Sequence, residues 1–140
     1  MSAMEDIEKY VLELTNKYSA INSIWLFGSR ANNSFNDNSD WDLLVFADKE
    51  TLKALRSDSS FISDKIDLFV IYNGNDAENP YADRDGRRIV KKLTLTNLNW
   101  NEVDNGKAKY RHVKYKDETE RFKNGNFEVK ILDAHRRWSK

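Results

Sequence analysis

Three short apolar runs, Ile24-Trp25-Leu26-Phe27, Trp41 to Ala47 (WDLLVFA) and Lys65 to Tyr72 (KIDLFVIY), constrain what this chain can fold into more than any other feature. Runs of about four to eight residues rich in β-branched and aromatic side chains, bounded by turn formers, read as buried strands. The first run stops at Gly28-Ser29 and the third at Asn73-Gly74. Ahead of them Ile7, Tyr10, Val11, Leu14 and Tyr18 recur at helical spacing, so residues 3 to 19 are expected as an amphipathic helix, with Ser2 and Glu5 as a capping box. Residues 32 to 39 (NNSFNDNS) have loop composition, and residues 49 to 57 are expected as a short helix between the second and third strands. Helices alternating with strands predict an α/β fold, a small mixed β-sheet with helices on one face.

Beyond residue 73 the chain changes character. Residues 73 to 86 contain its only Pro and read as a loop. Ile89 to Leu95 fits a helix end or a strand. Asn105-Gly106 and Asn124-Gly125 lie between partly alternating runs, and Asn-Gly is a strong hairpin signal, so a β-rich C-terminal extension is expected over about 87 to 140. At 140 residues the whole is expected as a single domain, 1–140, with its core in about 1–72.

Composition removes several classes of function. Seven Phe, six Tyr and four Trp supply more buriable area than disordered chains carry, although 33% of the residues are charged. Twenty-three basic and twenty-three acidic residues cancel, which speaks against a nucleic-acid sponge or an acidic chaperone. The cancellation hides an asymmetry, with 7 Lys/Arg against 12 Asp/Glu up to residue 72 and 16 against 11 after it. Without Cys there is no disulfide framework, thiolate nucleophile or zinc-thiolate site. The start lacks a basic and an apolar signal region, and no stretch approaches the ~20 apolar residues of a membrane span. A cytoplasmic protein without membrane contact is expected, which makes the triplet Asn32-Asn33-Ser34 a chance glycosylation match.

The chemistry lies in three carboxylates. Asp40 and Asp42 are separated by one residue at the start of the second strand, so both point to one face with Cα atoms ~6.6 Å apart. Asp67 interrupts the third apolar run, where an unpaired carboxylate is costly to bury. If those strands are neighbours, Asp67 joins the pair. Like charges in one pocket call for a cation, and Mg²⁺ suits carboxylates that leave room for water and phosphate. Phe27-Gly28-Ser29-Arg30-Ala31 supplies a glycine that lets a ligand approach the backbone, and a hydroxyl donor. A phosphate seat opposite a metal seat suggests phosphoryl chemistry with two metals. Neither a P-loop nor a dinucleotide fingerprint occurs.

LFGSRA, a loop, SDWDLLV and a later DLFV together resemble the nucleotidyltransferase signature of the DNA polymerase beta superfamily, and most of all its minimal nucleotidyltransferases. The similarity covers roughly residues 20 to 72. It implies a polymerase-beta-like fold in which Gly28 and Ser29 hold the triphosphate of a nucleoside triphosphate. It further implies that Asp40 and Asp42 ligate two Mg²⁺, and that Asp67 ligates one of them and assists deprotonation of the acceptor hydroxyl. Arg30 would lie near the phosphates or brace the loop. The implied reaction transfers a nucleoside monophosphate to a hydroxyl acceptor, a small molecule or a protein, and releases pyrophosphate. Because minimal members are often paired with helical HEPN-type ribonuclease toxins, a second reading is an antitoxin-like partner acting by binding or by AMP transfer. A third is a catalytically silent nucleotide-binding module.

The same residues have plainer readings. Asp40 and Asp42 could end a polar turn, Ser29 could cap a helix, and Asp67 could pair with Lys65 or an Arg. Three features agreeing in order outweigh these singly. His112 and His135 have no partner at metal spacing and read as surface or hydrogen-bonded residues. Arg87, Arg88, Lys91, Lys92, Lys114 and Lys116 read as solvated faces. Lys107, Lys109 and Arg111 would share one strand face and could line a path for an anionic acceptor or the triphosphate. Interleaved Tyr110 and Tyr115 fit core packing better than nucleic acid, whose binding is not expected.

Overall fold

Alternating side chains let the central strands bury both faces, and that decides the architecture. The computed structural model describes residues 3–32, 39–81, 93–115 and 127–140. Helix α1 (Ala3–Lys17) leads into β1 (Ser23–Phe27), a one-turn 3₁₀ helix (Ser29–Ala31), β2 (Trp41–Phe46), α2 (Lys49–Arg56) and β3 (Ile66–Tyr72). Then follow β4 (Asp76–Glu78), β5 (Leu93–Thr94), α3 (Leu95–Leu98), β6 (Asn101–Asp104), β7 (Lys107–Tyr115) and β8 (Phe127–Ser139). Asp48 starts α2 by accepting from the Thr51 amide at 2.8 Å. Asn73 and Gly74, both at positive φ, turn β3 into β4. Gly106, at φ +78°, turns β6 into β7 at the Asn105-Gly106 step. Asn124-Gly125, the basic residues 87 to 92, Lys116 and the Ser2 cap lie outside the described residues.

All eight strands join one sheet in the order β5-β4-β3-β2-β1-β8-β7-β6. Among the described residues only β2 and β3 run parallel, linked by α2 as a crossover; every other pair is antiparallel. The sheet is therefore mixed, as expected, but larger than the small sheet the sequence suggests. The C-terminal extension does not stand apart from the core. Its long strand β8 pairs with the free edge of β1, from Ser23↔Ser139 to Leu26↔His135, because an unpaired β1 would leave a row of buried amides and carbonyls unsatisfied.

One face of the central strands carries Ile24, Leu26, Leu43, Val45, Leu68 and Val70, which pack with Ile7, Val11 and Leu14 of α1 and Leu52 and Leu55 of α2. Each such side chain contributes about 1.5–3 kcal/mol by leaving water. The opposite face gathers Trp25, Leu44, Ile71, Ala77, Ala108, Tyr110 and Ala134. Leu95 and Leu98 of α3 pack on this second cluster, so the helices are not all on one face. The sheet curls around it. Trp100, just before the edge strand β6, meets Trp25 edge-on at 5.3 Å and lies 6.0 Å from Phe46 and 6.4 Å from Tyr110, ring centre to ring centre. No helix among the described residues is long and apolar enough to cross a membrane.

Candidate functional site

β1 ends at Phe27, which lies opposite Asp42 in the β1–β2 ladder. The next residue, Gly28, has φ +74°, and a Cβ there would stand 2.1 Å from Asp42 Oδ2. Glycine is thus required twice, once by the backbone angle and once by the carboxylate that rests against it. Asp42 is in turn the register partner of Asp67 on β3. Since Trp41, Leu43, Ile66 and Leu68 all pack toward α1 and α2, the period of two sends both carboxyls to the opposite face.

Burial pushes Asp42 up to about 7, with the negative charges of Asp67 and Asp40 and a hydrogen bond to Asp67 adding to it. Repulsion of this kind favours the protonated form of Asp42. Asp40 precedes β2 and is exposed; its charge reaches Asp42, but its carboxyl stands at the rim. Among the described residues no three His, Cys, Asp or Glu side chains stand close enough together to hold a metal as they are. The donor set still fits Mg²⁺, which takes hard oxygens from one or two carboxylates and the rest from water and phosphate.

Gly28, Ser29 and Asp42 line one side of a cavity of about 800 Å³. Phe27, Phe69, Leu93, Leu98 and Leu132 make its apolar walls, and Tyr110, His112 and Lys130 come into it from the β7–β8 hairpin. The volume falls within the ~300–1,000 Å³ of ligand pockets, and the mixed lining suits a molecule that is polar at one end and flat and apolar at the other.

The glycine turn is fastened from two directions. The Gly28 amide donates to the Tyr110 hydroxyl at 2.7 Å. The Asn32 side-chain amide donates to the carbonyls of Gly28 (2.8 Å) and Asp133 (3.0 Å), while its oxygen accepts from the Asp133 amide (2.8 Å). Arg30 braces the loop: Nε and Nη2 both donate to the Ser39 carbonyl, and the guanidinium lies 4.6 Å from the centre of the Trp41 ring. It therefore sits on the Trp41 side of the sheet, away from the cavity.

Of the six residues singled out in sequence, the structure brings Gly28, Ser29, Asp42 and Asp67 together, leaves Asp40 at the rim and assigns Arg30 to the loop. Lys109 and Arg111 do not line the cavity; Lys109 pairs with Asp133 at 2.9 Å and Arg111 donates to the Asn97 carbonyl. The alternate residues of the same strand, Tyr110 and His112, face it instead. Sequence reasoning missed Tyr110, Asn32 and Asp133 as parts of the site. The available signal was the period of two along β7, which puts Tyr110 and His112 on one face once Ala108 is known to be buried.

The family model described as "Polymerase beta, Nucleotidyltransferase" matches residues 9–92. No curated protein matches the chain. Among solved structures, a crystal structure of a candidate nucleotidyltransferase from Sulfolobus solfataricus is similar, at 26% identity over 64% of this chain and 75% of that chain, with a TM-score of 0.41. The family match contains Gly28, Ser29 and all three Asp; Tyr110, His112 and Lys130 lie beyond it.

Proposed function

This chain belongs to the polymerase beta family of nucleotidyltransferases, and from that premise we propose that it transfers a nucleoside monophosphate from a nucleoside triphosphate to a hydroxyl acceptor, with Mg²⁺, and releases pyrophosphate. The observation that carries this reading is the register pair Asp42 and Asp67, of which Asp42 rests against the Gly28 turn and lines the cavity.

In this reading the Gly28–Ser29 bend receives the triphosphate, because the missing Cβ lets the Asp42 carboxylate lie against the turn and the Ser29 hydroxyl offers a donor beside it. Asp42, Asp67 and Asp40 are the residues that would hold a divalent ion, and Mg²⁺ bound there would supply neutralisation of the negative charge that develops during transfer. A bond forms between the acceptor oxygen and the α-phosphorus, and the bond from that phosphorus to the bridging oxygen of the β-phosphate breaks. The hydroxyl proton passes to the Asp67 carboxylate and on to water. Apolar walls exclude water that would compete with the acceptor.

The test is incubation with labelled nucleoside triphosphates, Mg²⁺ and a panel of hydroxyl acceptors, reading pyrophosphate and labelled product. Pyrophosphate release that needs both Mg²⁺ and an acceptor supports the reading. A chain that binds none of the four triphosphates and releases no pyrophosphate would overturn it.

A further inference from the structure

The phosphate-side turn is held by a residue that lies outside the segment matched by the family model. Tyr110, on β7, is 3% exposed and is fixed by its ring: it meets Phe27 edge-on at 5.9 Å and stacks on Trp100 at 6.4 Å. Its hydroxyl accepts from the Gly28 amide, and Tyr110 lines the cavity together with Ser29 and His112. A phenol has one proton to give and two lone pairs to offer. The Gly28 N–H takes one lone pair, while both N–H groups of the Asn32 side chain are given to the carbonyls of Gly28 and Asp133. The hydroxyl proton is then left to give, on a residue that lines the cavity where the proposed triphosphate lies. Burial raises the Tyr110 pKa, and nearby Asp42 and Asp133 raise it further, so that proton stays in place.

We infer that Tyr110 is a nucleotide-binding residue supplied by the C-terminal hairpin: its hydroxyl fixes the Gly28 turn by accepting the turn's amide and donates its own proton to a phosphate oxygen of the bound nucleotide. This rests on the reading of the cavity as a nucleoside triphosphate site and extends it by assigning one of its phosphate contacts. The Asn32–Asp133 bonds make the same connection from the other side of the turn. The hairpin then forms one wall of the binding site, although its residues carry no motif.

Tyr110→Phe tests this, because it keeps the ring and removes only the hydroxyl. Calorimetric titration with ATP, with inorganic pyrophosphate and with adenosine, all in Mg²⁺, is compared in the two proteins. A hydrogen bond to a charged group corresponds to about a tenfold or greater change in affinity. The expected result is a loss of about tenfold for ATP and for pyrophosphate, little change for adenosine, and a Gly28 amide that exchanges faster with solvent. Equal losses for all three probes would mean a loosened pocket and would overturn the phosphate contact, as would unchanged ATP affinity in the variant. If Tyr110→Phe fails to fold, Asn32→Ala serves in its place: pyrophosphate binding is expected to weaken as the turn loses its second fastening, and unchanged binding counts against the inference. A parent protein that binds no triphosphate sinks the functional reading itself, whereas a binding parent with an unaltered variant sinks only the role of Tyr110.

Discussion

Asp42 and Asp67 stand opposite one another where the parallel strands β2 and β3 pair, and a hydrogen bond joins their carboxyls. Each charge disfavours ionisation of the other, so the pair favours either a bound cation or a retained proton.

Replacing Asp42 by Asn keeps the size and removes the charge that holds a divalent ion. Pyrophosphate release is expected to fall by about a thousandfold or more, since such an ion contributes several kcal/mol to the transition state. Circular dichroism should show an unchanged fold. Activity within tenfold of the parent would place the chemistry elsewhere.

The same substitution has the opposite effect on the stability of the metal-free protein. The folded pKa of about 7 lies above the ~3.9 of an unfolded Asp, so the folded state holds a proton that the unfolded state has released. Stability from this group is complete below about pH 4 and is lost as pH rises through 7. Asp42→Asn is therefore expected to stabilise the metal-free chain by about 1–3 kcal/mol at pH 8 and scarcely at pH 4. Added Mg²⁺ should raise the melting temperature of the parent and not of the variant. Thermal unfolding at the two pH values, with and without Mg²⁺, measures all of this.

Gly28→Ala puts a methyl into the space taken by Asp42 Oδ2 and asks a β-carbon residue to adopt φ +74°. A β-carbon residue held at φ 74°, ψ −159° costs about 1–3 kcal/mol on the backbone alone. Displacement of the carboxylate should also abolish activity. A variant with parental melting temperature and turnover would contradict the geometry of the turn.

Asp58 ties α1 to the loop before β3. It accepts from Lys17 at 2.7 Å, from the Tyr18 hydroxyl and from the Ser60 amide, and these partners hold its carboxyl well below the usual range. For a lowered pKa the stabilisation is present above about pH 3.9 and disappears as pH falls through the folded value. Asp58→Ala should cost about 1–2 kcal/mol at pH 7, with the difference shrinking below pH 3 in urea unfolding curves.

Leu44 is fully buried in the second cluster, beneath the cavity walls. Leu44→Ala leaves a void and should destabilise the fold by about 2–5 kcal/mol. Chemical denaturation reads this directly, and a cost under 1 kcal/mol would mean that the curled face is not packed as described.

Much of this centre is legible in the chain itself. Gly28 is announced by the strand end before it, and Asp67 by interrupting the third apolar run. Asp40 and Asp42 are tied to one face by their spacing, although only Asp42 is carried inward, because the strand begins at Trp41 and Asp40 lies beyond the last pleat. Arg30 is different. Its sequence neighbours suit phosphate, but the Trp41 ring and the Ser39 carbonyl offer a cation–π face and two hydrogen bonds on the far side of the sheet.

The sequence by itself determined the elements of the first half, the turn at Gly28 and the acids of the site, because each depends on residues within a few positions of one another. Tertiary structure alone decided that β8 closes the edge of β1, that the sheet curls until Trp100 reaches Trp25, and that Tyr110 rather than its basic neighbours faces the Gly28 turn. Those outcomes turn on which strand edge finds which partner and in what register, and a shift of one residue there would send Lys109 and Arg111 to the cavity and Tyr110 away from it.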